Sequence, residues 1–369
     1  MSRLSLGIVG LPNVGKSTLF NALVKNTHAE ASNYPFCTID PNVGIVEVPD
    51  ERLAALAGIV NPEKIVPAVV EFWDIAGIIK GASQGEGLGN KFLANIRETA
   101  AIVLVARFFD HPDIIHVNGK IDPKSDLETV LLELILADLE SVQKGKDRYN
   151  KAARGGDKAA QACLQFAELL ENALGDEKPA SSVKADTDEA KIVLRELQLL
   201  TAKPVLIVAN VAEDQATIDA ATLYKEYDLA SLVPSADWII PISAKLEAEL
   251  SALPAEDQEV FLGEYGLKES GLNRLIRSAY SLLGLQTYFT AGPKEVRAWT
   301  TPVGARAPQA AAEIHTDFEK GFIRAEVIAF PDYVAGKGEA GAREAGKLRS
   351  EGKEYVVQDG DVMHFRFNV

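Results

Sequence analysis

Ten residues near the start of the chain form a complete phosphate-binding loop, and no other feature of the sequence constrains the fold as strongly. The run from Gly10 to Leu19 is GLPNVGKSTL and contains the pattern G-x-x-x-x-G-K-S. A short apolar segment, residues 4–9, precedes it, and residues 18–24 have the apolar spacing of a helix. Between a strand and a helix, such a loop wraps its backbone N–H groups around the phosphates of a nucleotide. The sequence therefore predicts an α/β fold and a nucleoside-triphosphate site.

The residues of this loop have expected roles at the phosphates. Lys16 should reach the β- and γ-phosphates, where it also serves catalysis, and the Ser17 hydroxyl should bind Mg²⁺. The loop residues expected to contact the nucleotide are Asn13, Val14, Gly15, Lys16, Ser17 and Thr18.

Two further segments complete the expected phosphate and Mg²⁺ site. Asp74 and Gly77 form a D-x-x-G motif at the end of an apolar segment, residues 69–74. We expect the Asp74 carboxylate to hold Mg²⁺, directly or through water, and the Gly77 N–H to contact the γ-phosphate. Upstream, Thr38 lies where the first switch segment belongs and is a further candidate Mg²⁺ ligand. The alternative for Thr38 is a plain turn hydroxyl.

The segment that should read the base departs from the pattern of small GTPases. Those proteins end the corresponding strand with N-K-x-D, whose Asp accepts hydrogen bonds from guanine. Here the strand predicted at 205–209 runs into Asn210, Val211, Ala212 and Glu213. A carboxylate displaced by one methylene cannot keep the same geometry, which argues against a guanine preference. The residues expected at the base are Asn210, Val211 and Glu213, together with Ser243 and Ala244 after the next strand.

The position that usually orients the attacking water holds an apolar side chain. GTPases often place a Gln just after D-x-x-G, whereas this chain has Ile78. Another polar group must therefore orient the water, or hydrolysis is slow. His111 and His116 both follow the strand predicted at 101–106, and either is a candidate. The residues alone leave this choice open, because a lone histidine is more often structural than catalytic.

Strand and helix patterns alternate from residue 4 to about residue 283 and predict a mostly parallel sheet. The strands are predicted at residues 4–9, 69–74, 101–106, 205–209 and 238–242. The interval between the third and fourth strands is far longer than one crossover needs. It contains helical patterns at 125–145, 158–174 and 187–200, which predict an inserted antiparallel helical hairpin.

The tail from about residue 284 predicts a small α+β module. Its strand patterns lie at 288–290, 296–299, 355–357 and 362–367, and helices are suggested at 309–317 and 341–350. The expected domains are a P-loop NTPase domain at 1–124 and 201–283, an inserted helical domain at 125–200, and a C-terminal domain at 284–369.

Composition limits the partners and the compartment. The chain has 369 residues and a formal net charge of −15, which argues against broad adhesion to nucleic acid, including DNA. One stretch is basic and contains Lys144, Lys146, Arg148, Lys151, Arg154 and Lys158. This stretch is either a solvated tip of the hairpin or an RNA contact. No apolar run reaches the length of a membrane span, and the two cysteines form no metal or redox motif. A cytoplasmic protein without a membrane partner is expected.

Three segments carry a family resemblance. They are GLPNVGKS at 10–17, NYPFCTIDPN at 33–42 and DIAGIIKGASQGEGLGNKFLANIRE at 74–98, and they resemble the Obg-related branch of P-loop GTPases. Residues 210–213, the helical insertion and the tail narrow the resemblance to the YchF, or Obg-like ATPase, family over essentially the whole chain.

The resemblance implies properties that the residue pattern does not. It implies a preference for ATP over GTP, slow hydrolysis, and three domains, of which the last is a ubiquitin-like TGS domain with elements at 314–328 and 360–365. The catalytic histidine of that family lies in the segment matching residues 113–117, which favours His116 over His111.

The expected function is that of a ribosome-associated ATPase with Mg²⁺ as cofactor, acting as a slow nucleotide-dependent switch in translation or the stress response. Ribosome association follows from the resemblance. It would involve the large subunit or the intact ribosome, with RNA contacts through the helical or the TGS domain. Two alternatives stay open. One is an Obg-type GTPase in ribosome assembly, against which Val211 and Glu213 argue. The other is an ATP-sensing binding module in which hydrolysis is incidental.

Overall fold

The computed structural model describes residues 4–25, 42–75, 88–111 and 121–368. The described residues divide into two compact units. The first contains residues 4–25, 42–44, 71–75, 88–111 and 121–275, and the second contains residues 45–70 and 276–368.

Twelve strands lie within the described residues. They are β1 (Ser5–Val9), β2 (Val43–Glu47), β3 (Lys64–Val66), β4 (Val69–Asp74), β5 (Ala101–Arg107), β6 (Val205–Asn210), β7 (Ile239–Ile242), β8 (Leu285–Ala291), β9 (Glu295–Pro302), β10 (Phe322–Ala329), β11 (Arg349–Glu351) and β12 (Asp361–Phe367).

Fourteen α-helices lie within the same ranges. They are α1 (Lys16–Lys25), α2 (Glu51–Val60), α3 (Leu88–Glu98), α4 (Pro123–Ala153), α5 (Lys158–Gly175), α6 (Asp188–Leu197), α7 (Ala220–Glu226), α8 (Ala244–Leu250), α9 (Ala255–Glu264), α10 (Gly271–Leu282), α11 (Ala307–Ile314), α12 (Thr316–Lys320), α13 (Phe330–Ala335) and α14 (Glu339–Glu344).

The parallel sheet has the strand order β2-β4-β1-β5-β6-β7. The pairs β4–β1, β1–β5, β5–β6 and β6–β7 are all parallel. Every residue of β1 and β5 is buried, as expected for central strands of a parallel sheet with continuous apolar sequences. Because these strands are parallel, their carboxyl ends meet at one edge of the sheet, where ligands of such folds bind.

The predicted α/β fold and its five parallel strands are confirmed. β5 and β6 each extend one residue further than the sequence pattern indicated, so that they include Arg107 and Asn210. The pattern did not indicate β2 or β3, of which β3 pairs with the distant strand β9.

The predicted helical hairpin is also confirmed. α4 has 31 residues and is followed, after a turn at residues 154–157, by the 18-residue helix α5, while α6 completes the bundle. The buried core of this bundle is made of Ile135, Val142, Tyr149, Cys163, Phe166, Ala167, Leu170, Leu174, Ala180, Ala190, Val193 and Leu199. In the described part of the chain, no helix is both long enough and apolar enough to cross a membrane.

Buried polar groups hold the root of the hairpin. The Asp138 carboxylate on α4 accepts hydrogen bonds from the backbone N–H groups of Leu200 and Thr201, both at 2.7 Å, and burial raises its pKa. Arg97, at the end of α3, donates a hydrogen bond of 3.0 Å to the Ser141 hydroxyl. These contacts fix the insertion onto the parallel-sheet unit because an unpaired polar group would be costly at this depth.

The second unit contains a six-stranded sheet in the order β11-β10-β12-β8-β9-β3. β8 and β9 form an antiparallel hairpin, β10 pairs antiparallel with β11 and β12, and β12 pairs parallel with β8. The buried core contains Tyr288, Ala307, Ala310, Ala311, Phe322, Ala325, Val327, Val357, Met363 and Phe365. This sheet, with α11 packed against it through Ala307, Ala310 and Ala311, agrees with the ubiquitin-like module expected for the tail.

Two predictions for this unit are wrong in part. Residues 355–357 form no strand, and only Val356 makes an isolated bridge, to Arg306. The helix suggested at 341–350 ends at Glu344, because Gly346 has a φ of 69° and the chain turns there into β11. The strand β10 lies in a segment that the sequence analysis had not predicted as a strand.

Candidate nucleotide-binding site

The phosphate-binding loop joins the buried strand β1 to helix α1 with a backbone that only certain residues can adopt. Asn13 and Gly15 have positive φ values of 62° and 99°. A Cβ atom on Gly15 would lie 2.4 Å from the Asn210 amide nitrogen, and one on Gly10 would lie 2.3 Å from the Val105 carbonyl oxygen. Glycine is therefore required at both positions, because any side chain would push the loop away from its neighbours.

Lys16 is the buried cation of this loop. Its ammonium donates a hydrogen bond of 2.7 Å to the Leu11 carbonyl oxygen, and the side chain is 8% exposed. Burial lowers the pKa of Lys16 to about 8, although the nearby negative charge of Asp74 acts in the opposite direction. A neutral carbonyl stabilises the ammonium less than an anion would. The site thus holds a poorly compensated positive charge next to the expected phosphates.

Two oxygen ligands expected to bind Mg²⁺ lie close together. Ser17 is in the first turn of α1, and Asp74 is the last residue of β4, the strand that pairs with β1. The Ser17 hydroxyl donates to the Asp74 carboxylate at 3.3 Å. A hydroxyl and a carboxylate are the hard oxygen donors that Mg²⁺ prefers, so this pair fits that ion.

Three predicted site residues lie outside the described residues. They are Thr38, Gly77 and His116. Ile78 also lies outside the described residues. His111 is described and is exposed.

Asn210 holds two of the nucleotide loops together. Its amide nitrogen donates to the Val14 carbonyl oxygen at 2.9 Å, and its amide oxygen accepts from the Ala244 N–H at 3.0 Å. The side chain is only 5% exposed. One buried amide therefore fixes the spacing between the phosphate-binding loop and the start of α8, where Ser243 occupies the N-cap position.

The carboxylate of Glu213 is held by a lysine of the neighbouring loop. Lys245 Nζ lies 2.9 Å from one Glu213 carboxylate oxygen and 3.0 Å from the other. This hydrogen bond raises the pKa of Lys245. Val211, in the position that is lysine in N-K-x-D, is buried at 2% exposure. Both residues of N-K-x-D that contact guanine, the lysine and the aspartate, are thus replaced in this chain.

A cavity of about 450 Å³ lies among these loops. Eight of the predicted residues line it: Asn13, Gly15, Thr18, Asn210, Val211, Glu213, Ser243 and Ala244. Val14, Lys16 and Ser17 do not, and Lys16 and Ser17 instead lie on the side of Asp74. The remaining lining residues are Phe109, Asp110, His111, Ala212 and Lys245. Phe109 and Asp110 belong to no recognised motif, and the sequence did not predict them in the site.

Arg107 holds residues 109–111, the part of the cavity lining that no motif predicts. This last residue of β5 is 1% exposed, and its side chain donates to the carbonyl oxygens of Phe109 at 2.9 Å and His111 at 3.3 Å. Its guanidinium lies 4.7 Å from the centre of the Phe109 ring. The signal available in the sequence is the single arginine that ends an otherwise apolar strand, since a buried charge needs a specific set of partners.

Comparisons with known proteins identify the family of the chain. Residues 5–139 match the family model of the 50S ribosome-binding GTPase, and residues 285–368 match YchF-GTPase_C, described as a protein of unknown function. A Bacillus subtilis (strain 168) protein named ribosome-binding ATPase YchF is 56% identical over 370 residues, covering 99% of this chain and 100% of the relative.

The chain belongs to the YchF family. A second YchF relative, the ribosome-binding ATPase YchF of Escherichia coli O157:H7, is 54% identical over 98% of this chain and 99% of its own length. The solved structure of the Schizosaccharomyces pombe YchF GTPase superposes with a TM-score of 0.86 at 38% identity, covering 99% of this chain and 98% of the other. The names of these YchF relatives differ in the nucleotide, which makes the base pocket the decisive region.

Proposed function

We propose that this YchF protein is a Mg²⁺-dependent ATPase that binds the ribosome and acts as a slow nucleotide-dependent switch in translation or the stress response. The observation that carries the proposal is the base end of the pocket. There Val211 replaces the lysine of N-K-x-D, and the Glu213 carboxylate is engaged by Lys245 at 2.9 Å.

The preference for ATP follows from the hydrogen bonds that each base requires. Guanine presents N1–H and an exocyclic amine, which need a free carboxylate in front of them. Glu213 is one methylene longer than the usual Asp, so its carboxylate cannot take the same position in front of guanine, and Lys245 competes for the same oxygens. Adenine makes no such demand, so the retained Glu213–Lys245 pair is compatible with ATP.

The phosphates are proposed to bind along the loop from Asn13 to Thr18. Lys16 exchanges the Leu11 carbonyl for β- and γ-phosphate oxygens, which relieves the cost of its buried charge. Ser17 and Asp74, with Thr38, are proposed to hold Mg²⁺, which neutralises phosphate charge when it is bound. The Gly77 N–H is proposed to contact the γ-phosphate.

His116 is proposed to orient the attacking water. The position that carries a Gln in many GTPases is Ile78, which has no group that can hold a water molecule. The segment that contains His116 continues from residues 109–111, which line the nucleotide cavity. A neutral imidazole can accept a hydrogen bond from water near neutral pH.

Ribosome binding and a cytoplasmic location are proposed from the relatives. The B. subtilis and E. coli proteins named ribosome-binding ATPases match this chain over nearly its whole length. In this proposal, the P-loop NTPase domain at residues 1–124 and 201–283 binds the nucleotide. RNA contacts would fall to the helical domain at 125–200 or the TGS domain at 284–369.

Single-turnover hydrolysis of ATP, with and without ribosomes and with Mg²⁺ or a chelator, tests this proposal. We expect slow hydrolysis that requires Mg²⁺ and changes rate when ribosomes are added. Hydrolysis that is absent under all of these conditions, with tight ATP binding retained, would instead support a binding module. Faster hydrolysis of GTP than of ATP would support the Obg-type GTPase.

A further inference from the structure

The far end of the helical hairpin extends beyond the packed core of the bundle. The last buried residue of α4 is Tyr149, and the first of α5 is Ala160. We call residues 150–159 between them the hairpin tip. Gly156 has a φ of 86° and permits the tight turn, while Asp157 caps α5 by accepting from the N–H groups of Ala159 and Ala160. Since α4 has 31 residues, it spans about 46 Å, at the usual rise per residue.

The six cations of the basic stretch fall into two groups. The three nearer the root are paired: Lys144 with Glu140 at 2.5 Å, Lys146 with Glu171, and Arg148 with Glu196 at 2.7 Å. The three at the tip are exposed and have no carboxylate within ion-pair distance among the described residues: Lys151, Arg154 and Lys158. The chain has 53 acidic and 38 basic side chains, so carboxylates to pair with are plentiful. The tip leaves its cations available to a partner.

The cations of the C-terminal unit are arranged differently. Each of its arginines from Arg297 onwards lies within 4.0 Å of a carboxylate: Arg297 with Glu295, Arg306 with Glu354, Arg324 and Arg366 with Glu326, Arg343 with Glu339, and Arg349 with Glu351. These arginines are already compensated. The exposed lysines Lys294, Lys320, Lys337 and Lys353 have no ion pair among the described residues, but they lie at least 16 residues apart in the sequence. Because the tip gathers three unpaired cations within eight residues, it is the better candidate of the two regions for contact with a polyanion.

We infer that the hairpin tip docks onto the phosphate backbone of ribosomal RNA. This inference rests on the proposed ribosome binding and names the surface that carries it. The net charge of −15 repels RNA in general, so contact is favoured where cations project away from the acidic surface. At physiological salt, exposed charges act over only about 8 Å, which makes a local cluster sufficient. The tip carries three cations and one carboxylate, Asp157, which is engaged as the α5 cap.

The small residues of the tip suit the same partner. Ala152, Gly155, Gly156 and Ala159 surround the three cations and carry no bulk. The backbone of the tip can therefore approach the sugar–phosphate backbone of RNA closely, while Lys151, Arg154 and Lys158 reach its phosphate oxygens. Such contacts neutralise phosphates and release counterions, so their strength must fall with salt concentration.

Ribosome co-sedimentation with the full-length protein tests this inference. The tip variant Lys151→Gln/Arg154→Gln/Lys158→Gln is compared with Lys144→Gln/Lys146→Gln/Arg148→Gln, which removes the same charge from the paired group. Binding is measured between about 50 and 300 mM KCl. We expect the tip variant to bind ribosomes at least ~10-fold more weakly than wild type. The plot of the logarithm of the association constant against the logarithm of salt concentration should be less steep for this variant, by about two to three units of slope. The control variant should stay within about threefold of wild type, since exposed ion pairs contribute little.

A photo-crosslinking residue in place of Ala152 identifies the partner. We expect a ribosome adduct that RNase removes, whereas an adduct with a ribosomal protein would overturn the RNA partner. Equal affinity and salt slope for the tip variant and wild type would overturn the inference while leaving the proposed function intact. Wild-type protein that fails to bind ribosomes at all would overturn both. ATP hydrolysis without ribosomes should be the same in all three proteins.

Discussion

The nucleotide pocket and the hairpin tip both present cations suited to phosphate, but they hold them in opposite ways. In the pocket, Lys16 is buried against a backbone carbonyl, and the buried Asn210 amide is held by the Val14 carbonyl and the Ala244 N–H. At the tip, Lys151 and Arg154 lie in solvent with no ion-pair partner among the described residues. Buried polar groups need partners because desolvation is costly, whereas exposed cations do not. The pocket therefore selects its ligand by the fixed positions of buried groups, whereas the tip attracts phosphate by charge alone.

The largest expected effect is on hydrolysis within the pocket. His116→Ala should bind ATP nearly as well as wild type but hydrolyse it ~10²–10⁴-fold more slowly, because a positioned acid–base group is lost. Single-turnover assays measure the rate. His111→Ala is the matched comparison, since His111 lines the cavity too, and it should hydrolyse bound ATP at nearly the wild-type rate. Hydrolysis at the wild-type rate by His116→Ala would show that another group orients the water.

The next effect tests whether the pocket holds phosphate through its buried cation. Lys16→Ala should weaken ATP binding by ~100-fold or more, because a desolvated charge-assisted contact is removed. Calorimetric titration gives the affinity, and the thermal melt without nucleotide should remain cooperative. If the variant bound ATP with unchanged affinity, the phosphates would have to bind elsewhere, and this pocket would not be the phosphate site.

Arg107→Lys tests whether the wall of the pocket depends on a buried guanidinium. Lysine keeps the charge but cannot donate to the carbonyls of both Phe109 and His111 in the same fork. Losing one charge-assisted hydrogen bond should weaken ATP binding by about tenfold. Arg97→Lys, at an arginine that contacts Ser141 instead, is the control and should leave ATP affinity unchanged. If Arg107→Lys and Arg97→Lys bound ATP with equal affinity, Arg107 would have no role in nucleotide binding.

The pH dependence of ATP binding distinguishes the buried cation from the exposed ones. Because the pKa of Lys16 is lowered to about 8, the empty site loses its ammonium as the pH rises through that value. ATP affinity should therefore fall by about tenfold between pH 7 and pH 9, with proton uptake on binding. The free energy of unfolding of the nucleotide-free protein should instead increase with pH. It should rise between pH 8 and the ordinary lysine pKa of 10.5, since the unfolded chain then binds more protons. Calorimetry in buffers of different ionisation enthalpy measures the proton uptake, and no uptake would contradict the role of Lys16.

Local patterns predicted most of the parallel sheet and the helical hairpin. β1, β4, β5, β6 and β7 are short apolar runs that follow directly from their composition. β3 and β11 have three residues each and exist because they pair with β9 and β10, of which β9 is far away in the chain. No local pattern can indicate such strands, because their stability comes from the neighbour.

The candidate site was predictable where a motif fixes it and not where packing does. The phosphate-binding loop and Asn210 follow from spacing alone. The wall formed by Phe109 and Asp110 depends on how Arg107 turns the chain after β5, which no spacing rule describes. At the hairpin, the Lys144–Glu140 pair is four residues apart on one helix and could be expected. The Arg148–Glu196 pair joins two helices and required the fold.

Paired titration of the wild-type protein with ATP and GTP tests the central claim most directly, since the account depends on a base pocket that does not read guanine. We expect tighter binding of ATP than of GTP. The double variant Val211→Lys/Glu213→Asp, which restores the guanine-reading pattern, should shift the preference toward GTP. A wild-type preference for GTP would contradict the claim and make the protein a GTPase with an altered base motif.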